Sequence, residues 1–194
     1  MGVIIVTDGP DNQLLLQRLL QPELDASGGR VTWGYTASEA QSIAEPLVGI
    51  KRVPVVLAVD GLTRNQERIQ ELRDQYRRAL ASAATSRELV RAEAVVARPE
   101  FLDCFFVDNQ GRSSDATIRA LWPDATPPDD IGLARSEPRR SLLDVARQAG
   151  GPDVLTAIRE HLDDVQVAIM QRHEAIAQVL AAYRKLVLSP AAAT

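Results

Sequence analysis

The chain has 194 residues, 45% hydrophobic and 25% charged, which is enough for one ordinary globular domain with an addition. A net charge of -4 argues against a stand-alone nucleic-acid binder driven by overall charge, although a local basic patch stays open. The single cysteine, Cys104, excludes a disulfide framework and a multi-cysteine metal site. No apolar run approaches the ~20 residues of a membrane span. The opening stretch lacks the basic region of a signal peptide, and Val6 stands where a myristoylation motif needs Ser or Thr. A cytoplasmic protein without a membrane partner is the expectation.

In chain order, Val3–Thr7 reads as an apolar strand. A turn follows at Asp8-Gly9-Pro10-Asp11-Asn12, with Asp11 and Asn12 as helix N-cap candidates. Gln13–Leu20 is a leucine-rich helix that Pro22 is expected to stop, and Leu24–Arg30 is a loop. Val31–Tyr35 is the second strand. A helix from Ser38 to Leu47 follows, capped by Thr36 or Ser38, with Pro46 near its end. Val55–Val59, inside VPVVLAVDGLT, is β-branched and almost purely apolar, the pattern of a strand buried on both faces. Asn65–Ala84 is an amphipathic helix with the stripe Ile69, Leu72, Tyr76 and Leu80. Glu93–Arg98 is the fourth strand, and Phe101–Val107 is a short helix or a further strand. Strands and helices therefore alternate, which predicts an α/β fold with a mostly parallel sheet and flanking helices over residues 1–108.

Residues 109–140 are rich in Gly, Ser, Asp and Pro and read as a loop-rich insert or linker, part of which should pack or order on a partner. Residues 141–194 read as a helical appendage with a short helix at Ser141–Gln148 and one long helix after Pro152. That helix carries two heptad positions. One is Leu155, Leu162, Ile169, Ile176 and Tyr183. The other is Ile158, Val165, Arg172, Val179 and Leu186. A rod of ~35 residues would be roughly 50 Å long. It could lie along its own domain, but pairing with a second copy or a partner is the favoured expectation, with Arg172 setting register. Ser189–Thr194 is expected to be a frayed tail.

Asp8 and Asp60 end the first and third strands, and Glu100 follows the fourth. In a parallel sheet such ends share one edge, where ligands gather. Oxygen ligands without cysteine suit a hard cation such as Mg²⁺ or Mn²⁺, with Asp11, Glu100 or Asp103 completing the set. The same acids could instead cap the following helices. Arg64 lies at the start of the helix leaving Asp60 and could hold a phosphate, or belong to an ordinary solvated face. Cys104 sits among phenylalanines as a structural thiol. His161 and His173 are far in sequence from the acids, and a His–carboxylate metal site is not expected. No phosphate-binding glycine loop or dinucleotide fingerprint is present.

Three stretches together resemble the Toprim domain. VIIVTDGPDNQLLLQRLL resembles its first motif, a strand, an acid with Gly, a turn with a second acid and a leucine-rich helix. VPVVLAVDGLT resembles the strand that ends in Asp-x-Asp, and EAVVARPEFLDCFFVD the following segment in nucleases of the overcoming-lysogenization-defect type. The resemblance implies Mg²⁺-dependent nucleic-acid cleavage, with Asp8 and Asp60 as catalytic or metal-binding groups, in defence against mobile DNA alongside an ATPase partner. Two departures stand out. Asp8 replaces the family's usual Glu, and Leu62 replaces the second acid of Asp-x-Asp. A two-metal mechanism needs several carboxylates. The alternative is therefore a catalytically degenerate subunit used for regulation or assembly. A receiver-type phosphorylation domain is a more distant reading, because Arg98-Pro99-Glu100 stands where it needs Thr or Ser.

Overall fold

The computed structural model describes residues 2–84, 91–108 and 110–188. The expected tail at 189–194 and the first residue of the insert lie outside them. Four parallel strands, β1 (Ile4–Asp8), β2 (Arg30–Gly34), β3 (Val55–Asp60) and β4 (Ala92–Ala97), stand in the order β2-β1-β3-β4. β3 is one of the two inner strands, and all six of its residues are buried. The chain turns from β1 outward to β2 and then returns to the other side of β1 as β3. The direction of winding thus reverses between β1 and β3, at the switch point where such sheets open a crevice.

Strand alternation divides the core in two. Ile4, Val6, Val55, Leu57, Val59 and Val96 face α2 (Ala37–Gly49) and α3 (Gln66–Ala83). Val3, Ile5, Val56, Ala58, Val95 and Ala97 face α1 (Pro10–Ser27), a buried 3-10 turn at Phe101–Phe106 and the C-terminal helices. The predicted α/β class is therefore the one observed.

Two local expectations need correction. Gly9, at φ 79°, is the residue before α1, and Pro10 opens the helix, so Asp11 and Asn12 lie in its first turn rather than capping it. Pro22 does not stop α1, which runs on to Ser27. An interior proline costs ~3 kcal/mol. Burying Leu19, Leu20 and Leu24 on one face, at ~1.5–3 kcal/mol each, outweighs it. Pro46 lies inside α2, within the expected span, and the N-cap is the expected Thr36, accepting from the Glu39 amide.

The expected long helix is also corrected. The segment breaks into α7 (Val154–Thr156), a π turn at Ala157–His161, α8 (Asp164–Met170) and α9 (Glu174–Leu188). Asp163 and Gln166 form a capping box that starts α8 afresh. Ile158, Leu162, Ile176, Val179, Tyr183 and Leu186 are buried in the chain's own core. Leu155 and Ile169 are half-buried, while Val165 and Arg172 are exposed. No rod has to find a long groove, because the pieces fold back over α1 and β4.

The insert contains α4 (Ala116–Leu121) and α5 (Ile131–Ala134), followed by α6 (Pro138–Ala149). Ile118, Leu121 and Trp122 join the same core as β1 and α9, and the indole donates to the Pro152 carbonyl at 2.8 Å. No helix among the described residues is long and apolar enough to cross a membrane.

Candidate active site

β1 and β3 are hydrogen-bonded neighbours, so Asp8 and Asp60 meet at the switch point. The Asp60 amide donates to both carboxylate oxygens of Asp8, at 3.1 and 3.2 Å. The Asn12 side-chain amide donates to Asp8 Oδ1 at 3.1 Å and to Asp60 Oδ2 at 2.9 Å. The Phe101 amide donates to Asp60 Oδ1 at 2.8 Å, tying the 3-10 turn to the site. Gly61 follows, where a Cβ would lie 2.6 Å from the Ala97 carbonyl oxygen, so β3 can pass close to β4 only without a side chain there.

Arg139, from α6, closes the acidic edge. Its guanidinium pairs with Asp11 and reaches Asp60 Oδ2 at 3.5 Å and Glu100 at 3.8 Å. Burial pushes the Asp60 carboxyl up to about 7, and the charge of Asp8 adds to this, against hydrogen bonds from Asn12 and Phe101. Asp8 is also raised by burial, which exceeds the opposing effect of the Asp60 amide and Asn12. Burial raises Glu100 as well, against the charge of Arg139. The guanidinium thus compensates only part of the negative charge gathered here.

Leu62 stands two residues beyond Asp60 at φ 53°, with its amide donating to the Pro99 carbonyl at 2.9 Å. Its side chain is 75% exposed and borders an open cleft of about 650 Å³. Glu100, Arg139, Arg140 and Arg147 also line that cleft.

Asp103 does not join the acids. It is buried among Arg135, which donates to both its oxygens at 2.9 and 2.8 Å, and His173, whose Nε2 lies 3.0 Å from Oδ2. Burial would raise its carboxyl, but the hydrogen bonds from Arg135 and His173 hold it below the usual range. It is a saturated counter-ion and not a spare ligand. Arg64 lies 3.9 Å from it. His173, far from the acids in sequence, is brought to Asp103 because the start of α9 folds back onto the 3-10 turn. Cys104 is fully buried, as expected of a structural thiol.

Asp8, Asp60 and Glu100 are therefore brought to one edge, while Asp103 and Arg64 belong to a neighbouring cluster. Sequence reasoning missed Asn12 and Arg139 as site residues. Asn12 was legible in part, because it lies one helical turn after Asp8. Nothing local marks Arg139, which is 79 residues from Asp60.

Among the described residues no three His, Cys, Asp or Glu side chains already surround one point as metal ligands. The donor chemistry still fits one hard cation. Asp8, Asp60 and Glu100 offer oxygens, and one of these, Glu100 Oε2, is buried without a hydrogen-bond partner, as is Asn12 Oδ1. The donors do not extend to a second cation, because Leu62 offers none.

No protein-family model and no curated protein matches this sequence. Among solved structures, the fold is similar to that of the C-terminal region of the OLD protein of Burkholderia pseudomallei. The TM-score is 0.56 at 15% identity, over 95% of this chain and 98% of that one. The likeness covers the sheet, the insert and the C-terminal helices together. It defines the class of fold, a Toprim-like α/β architecture.

Proposed function

We propose that this chain is a phosphodiester-cleaving unit of the overcoming-lysogenization-defect type, acting on nucleic acid with one divalent cation, Mg²⁺ or Mn²⁺. The observation that carries the reading is the meeting of Asp8 and Asp60 at the switch point, with Glu100 on the same edge. Asp8, Asp60 and Glu100 would hold the cation. When bound, such a cation supplies a Lewis acid for a phosphoryl oxygen and a more acidic water. The protein's own part is positioning. The Asp60 amide and Asn12 fix the Asp8 carboxylate, to which the resemblance gives acid–base work. Arg139, with Arg140 and Arg147 along the open cleft, offers guanidinium groups to the phosphates of a strand. An ATPase partner and a role in defence against mobile DNA are the context that the resemblance implies.

A second reading rests on Leu62 and Arg139. A chain that lacks the second acid and fills its acidic edge with its own guanidinium could serve as a regulatory or assembly subunit. Plasmid nicking in Mg²⁺ or Mn²⁺ separates the two. The first reading expects metal-dependent nicking that falls at least ~100-fold in Asp60→Ala. Nicking that is absent under all conditions, or unchanged in that variant, establishes the second.

A further inference from the structure

Beside the acidic edge, on the far side of the 3-10 turn, the charge balance reverses. Two adjoining cavities of about 190 and 200 Å³ share Arg98, Asp103 and Arg135 as walls. Arg64 completes one and Arg73 the other. Four guanidinium groups thus meet two carboxylates, Asp103 and Glu174, in a protein whose net charge is -4. Asp103 is already saturated by Arg135 and His173. Glu174 reaches Arg98 at 3.3 Å and is itself 60% exposed. Among the described residues, Arg64 finds only an oxygen of Asp103, 3.9 Å away.

Two independent features point to a missing polar partner. Buried polar groups without partners are uncommon and call for an explanation. His173 is 7% exposed and lines the cavity that Arg73 completes, yet its Nδ1 has no hydrogen-bond partner. Arg73 lines the same wall, and its Nε is likewise buried and unpaired. In addition, Glu174 and Ala175, the first turn of the 15-residue α9, border the cavity. The first amides of a helix have no partner within it, and the helix dipole favours negative charge there. Gln66, the first residue of α3, borders it too.

From these groups we infer that the two adjoining cavities walled by Arg98 and Arg135, with Arg64 on one side and His173 on the other, bind a phosphate group, free or at the end of a nucleic-acid strand. Arg64 and Arg98 supply charge-assisted hydrogen bonds, and Arg135, locked by Asp103, fixes the wall. When Nε2 carries the hydrogen donated to Asp103, Nδ1 is an acceptor. It then matches the hydroxyl of a monohydrogen phosphate. The site goes beyond the cleavage reading and does not need it, because none of its residues belongs to the Asp8–Asp60 pair.

Calorimetric titration of the full chain tests this with three probes, inorganic phosphate, a 5′-phosphorylated DNA octamer and its 5′-hydroxyl twin. Saturable phosphate binding is expected, weakened about tenfold or more in Arg64→Ala and in Arg98→Ala. It should be unchanged in Arg119→Ala, whose side chain lies elsewhere on the surface. Preference for the phosphorylated octamer assigns the site to a strand end, and equal binding of the two octamers assigns it to free phosphate. Arg64 is half-exposed and outside any helix, so its variant keeps the test valid even where Arg98→Ala lowers the melting temperature. Asp60→Ala should bind phosphate normally whether or not it nicks DNA. Absence of saturable phosphate binding, or equal binding by wild type and both arginine variants, overturns the inference.

Discussion

Asp60 shows how burial and charge compete at one residue. Its carboxyl titrates near 7 in the folded chain without a divalent cation, against 3.8 as the ordinary value. An acid raised in the folded state binds more protons there than in the unfolded state. Stability therefore falls as pH rises from about 4 to 7, and the deficit persists above 7. Asp60→Asn removes that charge, and Asn12 can turn its unpaired Oδ1 toward the new amide. Urea unfolding should show the variant more stable by roughly 1–3 kcal/mol at pH 8 and close to wild type at pH 4. Arg139 makes the complementary case. If its guanidinium competes with a cation for Asp60 and Glu100, Arg139→Gln should bind Mn²⁺ several-fold more tightly, read by calorimetry. Equal or weaker affinity would mean that Arg139 organises the acids rather than opposing the ion.

At the level of elements, the C-terminal segment teaches most. A heptad repeat specifies which residues are apolar on one face, but not what covers them. Capping at Asp163 and the π turn before Leu162 cost helix continuity. Burying Ile158, Leu162 and Ile176 in the chain's own core more than compensates. Leu162 is 4% exposed. Leu162→Asp should therefore lower monomer stability by ~3 kcal/mol or more, detected by chemical unfolding. A soluble, fully stable variant that had merely changed its mass by light scattering would restore the pairing surface. The capping-box pair Asp163 and Gln166 was readable as a helix start, and it is the local signal that a single rod was wrong. Pro22 misled in the opposite direction, because a local breaker was overridden by three buried leucines.

On the scale of the whole molecule, one hydrophobic cluster runs from Val3 through Trp122 to Leu186. Residues from the first α/β stretch, the loop-rich insert and the C-terminal helices share it. This is why Arg139, Arg135 and His173, all beyond residue 130, can complete sites whose acids lie in the first 103 residues. The solved structure with a similar fold spans nearly the whole of this chain, not the sheet alone. Removal of the C-terminal helices would strip one face of the sheet as well as the wall of the arginine cavity.

The sequence by itself determined the strands, their parallel pairing and the placement of Asp8, Asp60 and Glu100 at one edge. Those features follow from local periodicity and from the handedness of βαβ connections, both written in short windows. It also singled out Leu62, where the resembling Toprim motif has an acid. Only the tertiary structure decided what surrounds them. The partners of Asp60 include an arginine 79 residues away, and those of Asp103 include a histidine 70 residues away. Such pairs are fixed by how helices pack across the sheet, which no local pattern encodes. The same packing set Asp103 apart from the other acids, saturating it with Arg135 and His173 while leaving Asn12 Oδ1 and Glu100 Oε2 buried without a hydrogen bond at the edge where Asp8 and Asp60 meet.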